Sequence, residues 1–285
     1  MSRTIATPAA FLVSGFRIML KKLALLVAMF TFSTLAFAQQ NQQQEASDAP
    51  GTDTCSFVYS SGPSATFTRY CLTVNGNIVQ FDSPAGFEYI KVQVVGEGYG
   101  VCDFDGGPKA YYDYAGSGES GNWNATVVSV PNATTRKFVR TTNDGVWQLT
   151  QTIKQIKASA KGPGSISITM ALKNLTAIPR DANILRYADV DANATPGDDE
   201  FDFTLNSAFG SEPGFSLGLG LTGNTFTLSH EGFTQSTPFG PDPCHIGAKI
   251  NFAPFVGDGS LGHLWALASV PPGGTKTVAM TYKPI

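Results

Sequence analysis

Apolar side chains recur at every second position in several stretches of the chain. In SISITMALK, residues 165–173, the even-numbered positions are apolar and the odd-numbered positions are small or polar. The same alternation runs through VWQLTQTIK (146–154) and TKTVAMTYK (275–283). A period of two places alternate side chains on opposite faces of an extended strand, so each stretch predicts a half-buried β-strand.

Other short apolar stretches predict further strands and are separated by turn-forming residues. These strand candidates are 65–74, 77–81, 88–95, 125–130, 136–141, 183–190, 200–206, 225–230 and 263–270. Asn and Gly at 75–77, 143–145 and 161–164 supply the positive φ angles that tight turns require. No ten-residue stretch beyond the N-terminal leader shows a 3.6-residue period. The pattern therefore predicts an all-β fold, a large antiparallel β-sandwich.

The N-terminus has the pattern of a secretory signal peptide. Lys21 and Lys22 precede an apolar run that ends at Ala38 in an A-x-A sequence. This run is shorter than the roughly 20 residues that a membrane-spanning helix needs. We expect residues 1–38 to be a signal peptide cleaved near Ala38, with Met19 as an alternative start and an uncleaved anchor as the alternative interpretation. The mature chain is then secreted or periplasmic, with no membrane insertion.

Beyond the leader the sequence divides into two parts. Residues 39–53, QQNQQQEASDAPGTD, contain almost no apolar side chains and predict a disordered linker. Residues 54–285 are long enough for one large β-sandwich domain.

The charge balance argues against nucleic-acid partners. Four of the 19 basic residues, and none of the 22 acidic residues, lie within residues 1–38, so the remaining chain has a formal net charge of about −7. No cluster of Lys and Arg forms a basic stripe, and an acidic surface repels phosphate backbones.

Four cysteines, Cys55, Cys71, Cys102 and Cys244, lie in the part of the chain that is predicted to be exported. An even number of cysteines in an oxidising compartment predicts two disulfides, and four cysteines permit three pairings. We favour Cys55 with Cys71 across a short hairpin-like loop, and Cys102 with Cys244. The alternative, metal ligation or a reactive thiol, lacks a C-x-x-C spacing.

Several segments together resemble a group of known sequences. In chain order they are GEGYGVCDFDG, GNWNATVVS, NDGVWQLTQT, MALKNLTAIPRDANILRYADVDAN and PPGGTKTVAMTY. Their order is similar to that of exported bacterial β-sandwich proteins of unassigned function. The resemblance implies an architecture and carries no activity or catalytic residue.

The acidic stretch RYADVDANATPGDDEFDF, residues 186–203, resembles a calcium loop in its spacing. Counting Asp189 as the first position, oxygen-bearing side chains fall at the third, fifth, seventh and twelfth positions, as in an EF-hand. However, Ala194 stands where that loop needs glycine, Pro196 lacks a backbone N–H, and the flanking sequences predict strands. An EF-hand is therefore not expected.

Two interpretations of the acidic stretch remain open. In the first, a loop between two strands binds calcium through oxygen ligands. Its candidate ligands are Asp189, Asp191, Asn193, Asp198, Asp199 and Glu200. In the second, the stretch is an exposed acidic hairpin, because Asn, Asp, Pro and Gly are also the residues that form turns.

Aromatic residues surround a glycine-rich loop at 115–122. Tyr111, Tyr112, Tyr114 and Trp123 predict a glycan-binding site if their rings are exposed, because aromatic faces stack on sugars. The alternative is that the same rings fill the core of the sandwich.

Three classes of function fit these observations. The first is a secreted, non-catalytic module that binds an extracellular glycan or a surface protein and holds a structural calcium ion. The second is a glycan-active enzyme that pairs Asp103 or Asp105 with Asp189 or Asp191 as two catalytic carboxylates. The third is a purely structural extracellular protein.

Overall fold

The computed structural model describes residues 53–90, 96–116, 118–195, 197–204, 206–212, 218–223, 229–235, 242–246 and 253–285. The predicted signal peptide and residues 39–52 of the predicted linker lie outside these residues, as do Pro196 and the strand candidates' residues 91–95 and 225–228. All described residues belong to one compact unit, Ala46–Ile285.

The described chain contains β-strands and one short 3-10 helix. The strands are β1 Phe57–Ser61, β2 Thr68–Leu72, β3 Ile78–Asp82, β4 Glu88–Ile90, β5 Glu97–Asp103, β6 Lys109–Ala115, β7 Gly118–Glu119, β8 Val127–Asn132, β9 Thr135–Thr141, β10 Trp147–Ile156, β11 Ser165–Asn174, β12 Arg180–Asp189, β13 Glu200–Thr204, β14 Ser207–Ser211, β15 Gly218–Gly223, β16 Ser229–Gln235, β17 Phe255–Val256, β18 Ser260–Val270 and β19 Thr275–Pro284. The 3-10 helix spans Ala192–Ala194, directly after β12.

The strands form three antiparallel sheets. The largest has nine strands in the order β17-β13-β14-β15-β19-β11-β10-β9-β8. A six-stranded sheet has the order β16-β18-β12-β5-β6-β7, and a four-stranded sheet has the order β1-β2-β3-β4. The prediction of an all-β, antiparallel sandwich is confirmed.

The period-two alternation corresponds to the buried face of the nine-stranded sheet. In β11 the side chains at 166, 168, 170 and 172 are buried, and those between them are half-exposed. Antiparallel register sets Ile168 beside Ile153 of β10 and beside Met280 of β19. These side chains share one apolar core with Ile184 and Trp265 of the six-stranded sheet, so the two sheets pack face to face.

Several strand boundaries differ from the sequence prediction. The alternating segments at 146–154, 165–173 and 275–283 match β10, β11 and β19 closely. The sequence did not predict strands β1, β5, β6, β7, β14, β15 and β17. In β5 and β6, glycines and tyrosines give no clean alternation, and both faces of β5 are buried. A strand buried on both faces has no period-two signal to read.

Both predicted disulfides are confirmed. Cys55 pairs with Cys71, and Cys102 pairs with Cys244 across a sequence separation of 142 residues. Disulfides persist in oxidising compartments, which agrees with a location outside the cytoplasm. Among the described residues, no helix has the length and apolar character needed to cross a bilayer.

The second disulfide attaches residues 242–246 to the outer face of the six-stranded sheet. Cys102 and Gly100 of β5 face this segment, and a Cβ at Gly100 would lie 2.9 Å from Pro243. Beneath the segment lies a second apolar cluster, which consists of Tyr114, Leu185, Tyr187, Phe233 and Ile246. The six-stranded sheet is therefore covered on both faces over its central strands.

Candidate functional site

The acidic stretch begins where the central strand β12 ends. Asp189 is the last residue of β12, and its N–H donates to Gly96 O at 2.7 Å. Asp191 follows and donates its N–H to Tyr89 O at 3.1 Å. Both carboxylates are at least nine-tenths buried, at 4% and 6% exposure. Strands β12 and β13 lie on either side of this loop, where an EF-hand requires helices.

Six carboxylates gather at this end of the sandwich, and we call them the acidic basin. They form two groups of three, Asp189 with Asp191 and Asp258, and Asp198 with Asp199 and Glu212. Within each group the carboxylate oxygens lie within 4.8 Å of one another.

Strand pairing explains how distant residues reach the basin. Asp258 lies in the turn between β17 and β18, and antiparallel pairing sets Asp189 beside Ser260 at the start of β18. The N–H of Gly257 donates to Asp199 O at 2.9 Å, which fixes this turn against the 197–199 turn. Glu212 follows β14, and its carboxylate accepts a hydrogen bond from the Thr195 hydroxyl at 3.1 Å.

Burial and mutual repulsion raise the pKa values of the basin. Burial, followed by the charges of Asp191, Asp258 and Asp199, raises the pKa of Asp189 well above its ordinary value. Burial and then the charge of Asp258 raise the pKa of Asp191 to about 6. For Asp199, burial and neighbouring carboxylates raise the pKa to about 7, although a hydrogen bond from the Ala192 N–H opposes the shift.

Three other buried acids of this protein have a cationic partner. Glu97, Asp103 and Asp113 each form an ion pair with an arginine, namely Arg186, Arg180 and Arg140 in that order. Within the described residues, no ion pair joins any of the six basin carboxylates to a lysine or an arginine. The basin is thus a cluster of carboxyl groups whose ionised forms have no cationic partner among the described ion pairs.

Two basin oxygens are buried without a hydrogen-bond partner. They are Oδ1 of Asp189 and Oδ1 of Asp199, in side chains that are 4% and 0% exposed. The other oxygen of Asp199, Oδ2, accepts the N–H of Ala192 at 3.0 Å. Buried carboxylate oxygens normally have partners, so these two are available to a ligand.

The structure brings together four of the six predicted metal ligands. Asp189 and Asp191 lie in one group, and Asp198 and Asp199 lie in the other. Glu200 and Asn193 belong to neither group, and both are exposed. The alternation of β13 turns Glu200 away from the buried Phe201, onto the outer face of the sheet. Sequence reasoning missed Asp258 and Glu212, because only long-range strand pairing brings them here.

The outer edge of the nine-stranded sheet carries an open groove of about 500 Å³, which we call the sheet-edge groove. Its lining comes from β13, β14, β17 and the adjoining residue 254: Glu200, Phe201, Asp202, Phe209, Ser211, Pro254, Phe255 and Val256. Register places Asp202 opposite Phe209 and Glu200 opposite both Ser211 and Val256. Glu200 and Asp202 are exposed, and Val256 is 66% exposed. The groove therefore combines carboxylates with apolar side chains on a fixed backbone.

The aromatic residues proposed for glycan stacking lie elsewhere. Tyr111 and Tyr114 are fully buried, and Trp123 is 8% exposed between the rings of Tyr99 and Tyr111. Tyr112 is half-buried and stacks on Tyr114 at 5.3 Å between ring centroids. Tyr111 and Trp123 lie in the main core, and Tyr114 lies in the second apolar cluster beneath residues 242–246. These three rings are too buried to stack on a sugar, which corrects the glycan-site hypothesis for Tyr111, Tyr114 and Trp123.

The two acidic patches proposed as a catalytic pair lie at opposite ends of one strand. Asp103 pairs in register with Ala182 near the start of β12, whereas Asp189 ends that strand. Seven residues of extended chain separate these positions by about 23 Å. Asp103 is also held by Arg180, with 2.7 Å between Oδ2 and a guanidinium nitrogen. These carboxylates cannot act together across one glycosidic bond, which needs a separation below about 10 Å.

Comparison with known proteins identifies the fold and no family. No protein-family model matches the sequence, and no curated protein sequence matches it. A bacterial glucoamylase complexed with acarbose superposes with a TM-score of 0.57 at 11% identity, over 84% of this chain. This chain spans about a third of the glucoamylase, 34% of its length. At this identity the similarity shows the fold alone.

Weaker structural similarities extend over comparable lengths. A putative aldose 1-epimerase from Escherichia coli K12 gives a TM-score of 0.43 at 11% identity, over 80% of this chain and 99% of the epimerase. A polysaccharide lyase gives 0.42 at 11% identity, over 80% of this chain and 32% of the lyase. Both scores are too low to carry an argument.

Proposed function

We propose that this chain is an exported, non-catalytic β-sandwich module that binds neutral glycans at the sheet-edge groove. The observation that carries this proposal is the composition of the groove. Phe209 and Val256 offer apolar surface, and Glu200 and Asp202 offer exposed carboxylates on the same face. All four side chains project from paired strands, so the site is formed before any ligand arrives.

The chemistry of this face fits a sugar. A sugar ring presents C–H groups on its faces and hydroxyl donors around its rim. Apolar and aromatic surface covers the C–H face, and a carboxylate accepts hydrogen bonds from hydroxyls. The two carboxylates repel anionic glycans, so a neutral oligosaccharide is the class of ligand that we propose.

The fold and the disulfides support this proposal without identifying the ligand. A bacterial glucoamylase complexed with acarbose superposes on this chain with a TM-score above 0.5. A sandwich of this shape therefore occurs in a carbohydrate-active protein. The two disulfides and the predicted signal peptide agree with an extracellular setting in which glycans are available.

Replacing Phe209 with alanine is expected to weaken oligosaccharide binding about fivefold. The ring supplies the main apolar surface for the sugar face, and a stacking contact of this kind is worth about 1 kcal/mol. Binding of neutral oligosaccharides, including acarbose, is measured by calorimetry on the wild type and on Phe209→Ala. Asp202→Ala tests the hydrogen-bonding carboxylate in the same way.

Phe104→Ala is the control for the same substitution outside the groove. Phe104 lies after β5 and is 39% exposed, whereas Phe209 is half-buried. Equal affinities for wild type and both groove variants would show that the sugar binds elsewhere. A wild-type protein that binds none of the neutral oligosaccharides on a broad glycan array would remove the proposal.

A further inference from the structure

We propose that the acidic basin binds calcium, with Asp189, Asp191 and Asp258 as the carboxylate ligands of one ion. This inference is independent of glycan binding. It departs from the sequence-based ligand set by including Asp258 and by excluding Asn193, Asp198, Asp199 and Glu200 from this ion.

The first observation that supports the proposal is the repulsion among the three carboxylates when no ion is bound. Three carboxylates with oxygens within 4.8 Å of one another repel strongly when ionised, and burial of two of them increases the repulsion. Within the described residues, no lysine or arginine is paired with them, although three other buried acids of this protein each have an arginine. A divalent cation supplies the charge that the described side chains do not.

The second support is the unpartnered oxygen of Asp189. This side chain is 96% buried, and its Oδ1 accepts no hydrogen bond. The same carboxylate contributes an oxygen that lies within 4.8 Å of an oxygen from each of the other two members of its group. A buried carboxylate that lies beside two others and keeps one oxygen without a hydrogen-bond donor matches a metal ligand.

The donor set selects calcium among common metal ions. All three ligands are carboxylates, and neither group of the basin includes a histidine or a cysteine. Hard oxygen ligands without nitrogen or sulfur disfavour zinc and copper. Magnesium requires near-ideal octahedral geometry and gives up its waters reluctantly, whereas calcium accepts six to eight oxygens in irregular arrangements.

The position of Asp258 provides both access and a structural role. Asp258 is exposed, so the site opens to solvent on the side of the β17–β18 turn, and waters can complete the coordination of the ion. Asp189 and Asp191 lie at the end of β12. An ion bound by all three would therefore cross-link the end of the central strand to a turn that is about 70 residues later in the chain.

The test uses full-length protein from which metals have been removed with a chelator. Calcium is titrated by calorimetry, and thermal unfolding is followed with and without the ion. We expect the Tm to rise by about 5–10 °C when calcium is a hundredfold above its Kd. We expect magnesium at the same concentration to have less than half of this effect.

Three variants assign the ligands. Asp189→Asn and Asp258→Asn are each expected to weaken calcium binding by at least tenfold. Glu200→Gln is the matched control, because it removes the same charge from an exposed side chain next to the basin, and it is expected to bind calcium as the wild type does. Without the ion, Asp189→Asn is expected to melt at or above the wild-type temperature, because asparagine has nearly the same shape and carries no charge for the neighbouring carboxylates to repel. If Asp189 served only to stabilise the fold, Asp189→Asn would lower the melting temperature of the metal-free protein.

Each of four results would overturn the proposal. These are no heat of binding and no Tm shift in the wild type, wild-type affinity in Asp258→Asn, a loss in Glu200→Gln equal to that in Asp189→Asn, or an equal response to magnesium. The first result would mean that the basin binds no ion. The next two would assign the ion to other ligands, and the last would remove the selectivity for calcium.

Discussion

Replacing Arg186 with alanine is expected to lower the free energy of unfolding by about 3–5 kcal/mol. Arg186 is fully buried between the two large sheets. Its guanidinium donates to both carboxylate oxygens of Glu97, at 2.5 and 2.8 Å, and to Gln151 at 2.6 Å. Alanine would leave the carboxylate of Glu97 buried without its cation. Arg186 is also what opposes the effect of burial, which raises the pKa of Glu97.

The measurement is equilibrium unfolding in urea, with circular dichroism as the signal. Lys154→Ala is the control for charge, because Lys154 is exposed on β10, and we expect a change within about 0.5 kcal/mol. The double variant Arg186→Met with Glu97→Gln removes both charges, so it should be more stable than Arg186→Ala. If the single variant loses less than about 1 kcal/mol, the ion pair is not a stabilising element of the core.

The burial of Arg186 could not be predicted from its strand. Alternation in β12 places Leu185 and Tyr187 on one face and Arg186 on the other, which suggests an apolar inner face and a charged outer face. In the structure, Arg186 faces the nine-stranded sheet, and the face with Tyr187 is covered by residues 242–246. Both faces are buried, and the arginine is accommodated only because Glu97 and Gln151 arrive from other strands.

Strands β10, β11 and β19 of the nine-stranded sheet were easier to predict. In β10, β11 and β19 one face contacts the core and the other is half-exposed, so the burial of each residue follows from its position in the strand. Local alternation then suffices to identify the strand and its inner face. The period-two pattern therefore identifies a strand and its inner face when only one of the strand's two faces is buried.

The candidate ion site was predictable only in part, because some of its carboxylates come from distant parts of the chain. Asp189, Asp191, Asp198 and Asp199 lie within one short stretch, and their composition alone marks it as a candidate for calcium. Asp258 and Glu212 complete the two groups through the pairing of β12 with β18 and of β13 with β14. Glu200 matched the spacing of a known loop but is turned outward by the pleat of β13. Spacing along the chain specifies ligands only when the loop conformation is already known.

Removing the Cys102–Cys244 disulfide is expected to cost about 5 kcal/mol, against about 3 kcal/mol for Cys55–Cys71. In the chain-entropy model, a cross-link stabilises by restricting the unfolded chain, and the effect grows with the length of the closed loop. The two loops differ greatly, with sequence separations of 142 and 16 residues. The longer cross-link also holds residues 242–246 over the second apolar cluster, so its loss would expose Tyr187 and its neighbours.

The two pairs are well matched for this comparison. Each joins one fully buried cysteine, Cys71 or Cys102, to a more exposed partner, so Cys→Ala double variants create similar cavities. Urea unfolding of both variants, under conditions where the wild type stays oxidised, gives the two losses directly. A larger loss for Cys55→Ala with Cys71→Ala would mean that loop length does not determine the ranking. Local packing around the four-stranded sheet would then be the stronger contribution, and residues 242–246 would keep their place on β5 without a covalent bond.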